Sequence, residues 1–529
     1  MDRVEAMHPM DAVGRAADAY ATAPLLNCLL REVAEQLDHE PNVYRLPSGG
    51  LLRVGGGRRP ADPALYTSGH WHPLGHDELI ELTAAELRHR TGLGNDELPR
   101  EMADSRDVVA ALLGARATAN APQDPYARSE QSLITGHPCH PAPKARGGGP
   151  AARWLPYAPE AYARFPLVLL GVREDVLVDE GDTRCLDGLG TPPPGYRMLP
   201  AHPWQLDLTG ARLRDAFADG RLVRIGETTR PVWPTAAIRT VHLPGDDFPE
   251  EVFLKFSLDV RITNDIRRLW RHDLLKLRRT DAATADGFRA LGGAAAWLSD
   301  RGYRTASFAF EELAVLVRDG LRPHLLPGTT PLLAAGLAEG FAGSPWEGLA
   351  DPGAWWAAYL RQVVPPALEL FARHGVVLEA HAQNTLVAVD ASGTPVQALY
   401  RDAEGVKLLG DVERAAGWER LVYCLLVNHL MEIAGALAET YPGLDPWPAV
   451  RDELARHERL LPEVGELLAS PTLPAKTNLL LRWTRADGAD ARYLPLPSPL
   501  TRDPLPRDAL PRESLPRDPS ARENGSPRA

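Results

Sequence analysis

Hydrophobic positions along the chain switch between a helical and a strand period. From 11 to 37, Leu25, Leu26, Leu29, Leu30 and Val33 recur near the 3.6-residue repeat of a helix. The glycine-rich stretch 46–60 lacks the Gly-Lys-Ser/Thr ending of a phosphate loop and reads as a hairpin or turn. Helices are predicted over 79–91, with Asp77 as N-cap, and over 107–119. A buried strand over 165–171, a helix over 208–219 and a strand over 222–225 follow. Arg239 and Lys255 fall in strand-like contexts around a Gly245-Asp-Asp turn. Thr263 and Arg267, four apart, share one face of a predicted helix. Beyond helices at 308–318 and 352–374, the segments 385–390 and 396–400 read as a hairpin about a turn at 391–394. Helices at 413–439 and 449–468 and an amphipathic piece at 473–483 complete an α+β pattern.

Composition narrows the classes. A chain of 529 residues predicts two to four domains or lobes. A net charge of -12 argues against a general nucleic-acid or anionic-membrane binder, but leaves room for a local basic pocket that takes a small anion. The four cysteines, Cys28, Cys139, Cys185 and Cys424, form no CxxC pair, which excludes a zinc ribbon or thioredoxin-like motif on spacing and fits a reducing cytosol. No secretory signal and no bilayer-spanning apolar run are read, so a soluble cytoplasmic protein is expected. From Thr501 the units Leu505-Pro-Arg-Asp, Leu510-Pro-Arg-Glu and Leu515-Pro-Arg-Asp predict a disordered tail, 501–529.

Three stretches carry candidate chemistry. Glu379-Ala-His381-Ala-Gln383-Asn384 is a polar knot between Val376-Val377-Leu378 and Leu386-Val387. Buried polar groups are costly unless paired, so it is a hydrogen-bond network or a ligand site. The hairpin after it returns Asp402 and Glu404 to its side. In the loop 132–149, three prolines deny helix and central strand, and His137, His140, Lys144 and Arg146 converge as an anion site would require. A solvated turn is the competing reading; zinc on His137, Cys139 and His140 fits poorly, because structural zinc takes ligand pairs with longer spacers. The third stretch offers Arg239, Lys255, Thr263 and Arg267, fixed cations plus a hydroxyl, as a nucleotide triphosphate or polycarboxylate requires. Asn384 and Asp402 sit as metal-holding residues do in kinase-like folds, yet no Asp stands where a phosphotransferase places its base. Carboxylate activation needs no such base, since the carboxylate itself attacks the α-phosphate.

Taken in order, Gly136-His-Pro-Cys-His-Pro-Ala-Pro-Lys144, His202-Pro-Trp-Gln205, Ile238-Arg-Thr240, Lys255 with Ile262-Thr-Asn-Asp-Ile-Arg267, Glu379-Ala-His-Ala-Gln-Asn384 and Arg401-Asp402 resemble the NRPS-independent siderophore synthetases, the IucA/IucC family, over about 25–500. The resemblance implies a cupped hand: a helical thumb at 1–125, fingers at 126–345 and a distantly kinase-like palm at 346–500. It implies adenylation of citrate or a related di- or tricarboxylate and capture by an amine, hydroxylamine or alcohol, with release of AMP. Lys144, Arg239, Lys255, His381, Gln383, Asn384 and Asp402 are implied for ATP, and His137, His140, Thr263, Arg267 and His381 for the carboxylate. Arg267, His381 and Lys255 are the implied catalytic residues, and Asn384, Asp402 and Glu379 the implied Mg2+ ligands. A homodimer is also implied. Two departures stand out: Ala237 replaces the family serine, and Ser498-Pro-Leu500 the usual Asn-Pro-Leu. The competing readings are a small-molecule kinase and a ferric-siderophore binding or redox protein. A redox cluster would want several cysteines, and the C-terminal half has only Cys424.

Overall fold

The computed structural model describes residues 9–37, 39–486 and 493–501; apart from Thr501, the predicted tail lies outside the described residues. Within them the fold is α+β. The first helix, Pro9–Glu32, stops short of its apolar pattern because Glu35–Leu37 opens an antiparallel meander through Glu40–Arg45, Leu51–Gly56, Pro60–Thr67 and His70–Pro73. The glycine-rich stretch is therefore a hairpin. Gly56 closes it at φ 77°, where a Cβ would strike the Arg59 carbonyl. Leu25, Leu26 and Leu29 pack with Leu79, Leu87 and Leu98 of the helices His76–Thr91 and Glu97–Arg116.

The predicted lobe boundaries do not follow the cores. The last helix, Asn478–Trp483, gives Leu479 and Trp483 to this N-terminal core. Glu32 accepts its N-terminal N–H groups from Asn478, Leu479 and Leu480 at 2.9, 2.9 and 2.8 Å, satisfying donors that a helix start leaves free. The 1–125 region, expected to be helical, also contains the meander.

A six-stranded antiparallel sheet runs Trp233–Pro234, Thr240–Leu243, Val252–Phe256, Val315–Asp319, Asp300–Ala306, Leu177–Gly181. It corrects the helix predicted at 308–318, where only the short 3-10 turn Ser307–Ala309 precedes the strand. A continuous apolar run buried on both faces cannot be told from helix by period alone. A three-stranded sheet centred on Val168–Arg173 shares this core.

The predicted hairpin is present as Thr385–Val389 paired with Pro395–Arg401. Its sheet also takes Thr330–Leu333 and Ala296–Leu298, the latter parallel, from across the expected boundary at 345. The helix Pro352–Glu369 continues as a π turn to His374. The segment 449–468 is two helices, Trp447–Ala455 and Glu463–Ala469. The helix Arg414–Thr440 is long and apolar enough to cross a bilayer, against expectation, but 72% of that window is buried. A helix apolar all round is what a core helix requires.

Candidate active site

The sheet ends, the 132–149 loop and the 379–384 stretch converge on a cavity of about 390 Å³. Its wall contains His137, Lys144, Arg239, Lys255, Thr263, Arg267, Glu379, His381, Gln383, Asn384 and Asp402. Of the predicted site residues only His140 is not on that wall; it is buried.

The backbone beneath the cavity is strained at three non-glycine positions: Ile238 at φ 54°, Thr263 at 60° and Asp402 at 84°. For β-branched Ile and Thr this region is disfavoured, at a cost of about 1–3 kcal/mol each, and such strain gathers at functional sites. Thr263 also corrects the predicted helix. Arg261–Ile262 and Asp265–Ile266 form a small hairpin, with Thr263 in its turn. The two side chains meet all the same: Arg267 Nη2 donates to Thr263 Oγ1 at 2.5 Å and to the Ile262 carbonyl at 2.7 Å.

The histidines share one local device. In His137, His140, His202 and His381, Nδ1 accepts the backbone N–H two residues on, from Cys139, Ala142, Trp204 and Gln383 at 3.1–3.2 Å. In the first three the intervening residue is proline, which has no N–H of its own to compete. An Nδ1 that accepts leaves the proton on Nε2. Burial lowers the basicity of both cavity histidines, His137 to about 3, so each faces the cavity as a neutral donor.

Charge on the wall is arranged in two ways. Lys255 Nζ holds Asp402 at 2.6 Å and Glu404 at 2.8 Å. Arg318, missed in the sequence because its strand read as helix, reaches Asp402 at 3.3 Å and Asp300 at 2.6 Å. Burial alone would raise the Asp402 carboxyl, but Lys255 and Arg318 hold it far below the usual range. Arg239 holds the Arg267 carbonyl at 2.9 Å and Glu404 at 3.4 Å. Lys144 is engaged by Glu160 at 2.5 Å and by the Leu133 carbonyl. Among the described residues, Arg267 and Lys476 have no carboxylate within ion-pair distance, and both are lowered first by burial. Lys476, at the end of strand Thr472–Lys476, is a second cavity cation that the sequence reading passed over.

No group of three or more His, Cys, Asp or Glu among the described residues is placed to hold a metal ion, which removes zinc on the 137–140 loop. Mg2+ carried by ATP needs only one or two protein oxygens. Asn384 and Asp402 fit: the Arg401 N–H donates to the Asn384 carbonyl at 3.1 Å, so they stand side by side across two strands. Asn384 Nδ2 is buried without a partner among the described residues. Glu379 does not fit, since Arg420 holds it at 2.7 Å and Gly405 packs where a Cβ would clash with it.

The model of the IucA/IucC family matches residues 125–339, and one described as a ferric iron reductase FhuF-like transporter matches 353–491. An L-2,3-diaminopropanoate–citrate ligase of Staphylococcus aureus is 29% identical over 72% of this chain and 75% of its own. The rhizobactin siderophore biosynthesis protein RhbC of Rhizobium meliloti is 29% identical over 90% of this chain and 96% of its own. The ATP-bound aerobactin synthetase IucA of Klebsiella pneumoniae superposes with a TM-score of 0.77 at 22% identity, covering 92% of this chain and 100% of that one, a likeness of fold. All of the ordered motifs but His202–Gln205 line this cavity, residues 125–339 match the IucA/IucC family, and along most of its length the chain is similar to proteins of siderophore biosynthesis.

Proposed function

We propose that this protein is an ATP-dependent ligase of siderophore biosynthesis that adenylates citrate or a related di- or tricarboxylic acid and condenses it with an amine, hydroxylamine or alcohol. The observation that carries the reading is the pair of acid-free cations, Arg267 and Lys476, on a cavity wall that also presents the neutral donors His137 and His381. Such a wall is complementary to a polycarboxylate. The relatives, a citrate ligase among them, support the choice of acid.

In the first step a carboxylate oxygen attacks the α-phosphorus of ATP, the bond to the bridging oxygen breaks, and pyrophosphate leaves. In the second, the amine nitrogen attacks the acyl carbon, AMP departs with the electron pair of the acyl–oxygen bond, and the proton shed by nitrogen passes to solvent. Thr263 and Arg267 clamp the acid, and the Nε2–H of His381 and of His137 donates to its oxygens. Arg239, Lys255, Gln383, Asn384 and Asp402 take the nucleotide. Asn384 and Asp402 would hold the Mg2+ that ATP carries, which would supply neutralisation of phosphate charge. Lys144, already paired with Glu160, supports the floor beneath the phosphates. No side chain is asked to remove a proton from the acid, so catalysis is positioning and charge stabilisation.

We read the lobes as thumb, fingers and kinase-like palm, and the protein as a cytoplasmic homodimer. The test is pyrophosphate release from ATP with a panel of di- and tricarboxylic acids. Acid-dependent release with AMP as co-product is expected. ADP as the product would move the protein to the small-molecule kinases, and no turnover with any acid would refute the proposal.

A further inference from the structure

Two helices clamp the 379–384 stretch, the short Ala334–Glu339 and the long Arg414–Thr440. The Ala335 N–H donates to the Ala382 carbonyl at 3.0 Å, and the Ala382 N–H donates to the Asn428 carbonyl at 3.2 Å. Four residues beyond each clamp stands a glutamate on the cavity wall, Glu339 beyond Ala335 and Glu432 beyond Asn428. Four residues advance a helix by roughly 6 Å, so both carboxylates stand one turn from the residue after His381.

Each glutamate meets an arginine from the turn that Gly56 closes. Arg58 bonds Glu432 at 3.2 Å and Glu439 at 3.1 Å, and Arg59 bonds Glu339 at 3.3 Å. Beyond these bridges lies a second, open cavity of about 310 Å³ that shares Arg58, Arg59, Ala338 and Glu339 with the first. The two arginine–glutamate bridges thus stand between an outer cleft and the reaction cavity.

We propose that this corner is the acceptor subsite, and that the acceptor it suits is an amino acid with a second amine. The α-ammonium lies on Glu432, the α-carboxylate on Arg58, and the side-chain amine points toward His381. The proposal rests on the ligase reading above. Glu432 rather than Glu339 takes the ammonium, because Glu339 Oε1 already accepts the Thr135 N–H and hydroxyl at 3.0 and 2.9 Å. A zwitterion exchanges one bridge for two: its ammonium replaces Arg58 on Glu432, and its carboxylate satisfies the freed guanidinium, which keeps Glu439. A diamine would displace Arg58 and offer it nothing. Burial raises the Glu432 carboxyl and Arg58 opposes it, so this acid, like Arg58, is better satisfied with an opposite charge beside it.

The experiment uses the full chain and two readouts. Acid-dependent ATP–pyrophosphate exchange reports adenylation, in which no amine takes part. Product formation is then measured with matched pairs that differ only in the carboxylate: diaminopropanoate against ethylenediamine, ornithine against putrescine, lysine against cadaverine. Wild type is expected to prefer the amino acid of at least one pair by about tenfold or more in kcat/KM, the scale of one charge-assisted hydrogen-bond pair. Glu432→Gln, which keeps shape and removes charge, is expected to raise KM for that amino acid about tenfold with exchange retained. Arg58→Gln is expected to abolish the preference within the pair. Retained exchange with an unchanged KM in Glu432→Gln overturns the subsite. Diamines used as well as amino acids by wild type overturn the carboxylate half. Absent exchange in wild type refutes the ligase reading instead, and the subsite with it.

Discussion

Two basic clusters face the same cavity and differ in whether their charge is already answered. Lys144 and Arg146 share one buried carboxylate, Glu160, at 2.5 and 3.4 Å. Among the described residues, the Arg267 guanidinium meets only the Thr263 hydroxyl and the Ile262 carbonyl. The sequence marks both as candidate anion sites, because each shows cations within a short Pro-, Gly- or Thr-containing stretch. The structure separates them: one cluster is closed, and the other keeps a guanidinium edge for a ligand. The number of cations in a wall therefore says less about binding than the bonding capacity left after the protein has satisfied itself.

The largest effect should come from opening the closed cluster. Lys144→Ala leaves Glu160 with one long contact to Arg146 and an Oε2 that already lacks a partner. Stranding a buried carboxylate costs about 3–5 kcal/mol, so a clear fall in melting temperature is expected by calorimetry. A variant as stable as wild type would place Lys144 among the ligand contacts alone. The open cluster should respond in reverse. Arg267→Ala removes no ion pair, so its melting temperature should hardly move, while acid-dependent exchange falls about 100-fold in kcat/KM. Retained exchange would break the distinction between the clusters. Between them stands Lys255, which is paired yet lies on the wall. Because Asp402 keeps Arg318 and Glu404 keeps Arg239, Lys255→Ala should raise KM for ATP by about tenfold with a smaller loss of stability than Lys144→Ala. An unchanged KM would remove Lys255 from the nucleotide site.

How much of this was legible depended on whether a signal is local. The 385–400 hairpin was, because strand alternation and a four-residue turn fix it, and it delivered Asp402 beside Asn384 as expected. The Thr263–Arg267 contact was legible for the wrong reason: spacing by four suggests a helix, while the chain makes a two-residue turn with Thr263 in a left-handed conformation. Arg318 was hidden by an apolar run that reads equally as helix or buried strand. Lys476 was hidden differently. Nothing near it in sequence is unusual; its strand packs against the distant segment Tyr423–Leu430, and the helix after it returns to Glu32, 446 residues before Asn478. Pairing was the least legible property of all, because neither Glu160 nor Arg420 stands in any motif that names its partner.

The smallest effect concerns protons and tests whether the open wall is built from neutral donors. Burial first, and the nearby His381 next, lower His137 from 6.5 to about 3. Above pH 6.5 the residue is neutral in both folded and unfolded chains and contributes nothing to pH dependence. Between 6.5 and about 3 the unfolded chain takes up a proton that the folded one refuses, so stability falls as the pH falls, by about 1.4 kcal/mol per unit. Asn at this position can still accept the Cys139 N–H but cannot titrate. The stability of His137→Asn, followed by urea unfolding from pH 6 down to 4, should therefore decline less steeply than wild type by about one proton. Other groups that titrate in this range, His202 among them, add to both curves and cancel in the difference. Equal slopes would mean that His137 is charged in the folded protein. It would then count as a further cation on the open wall, and the contrast between the two clusters would rest on charge there as well as on free hydrogen-bonding capacity.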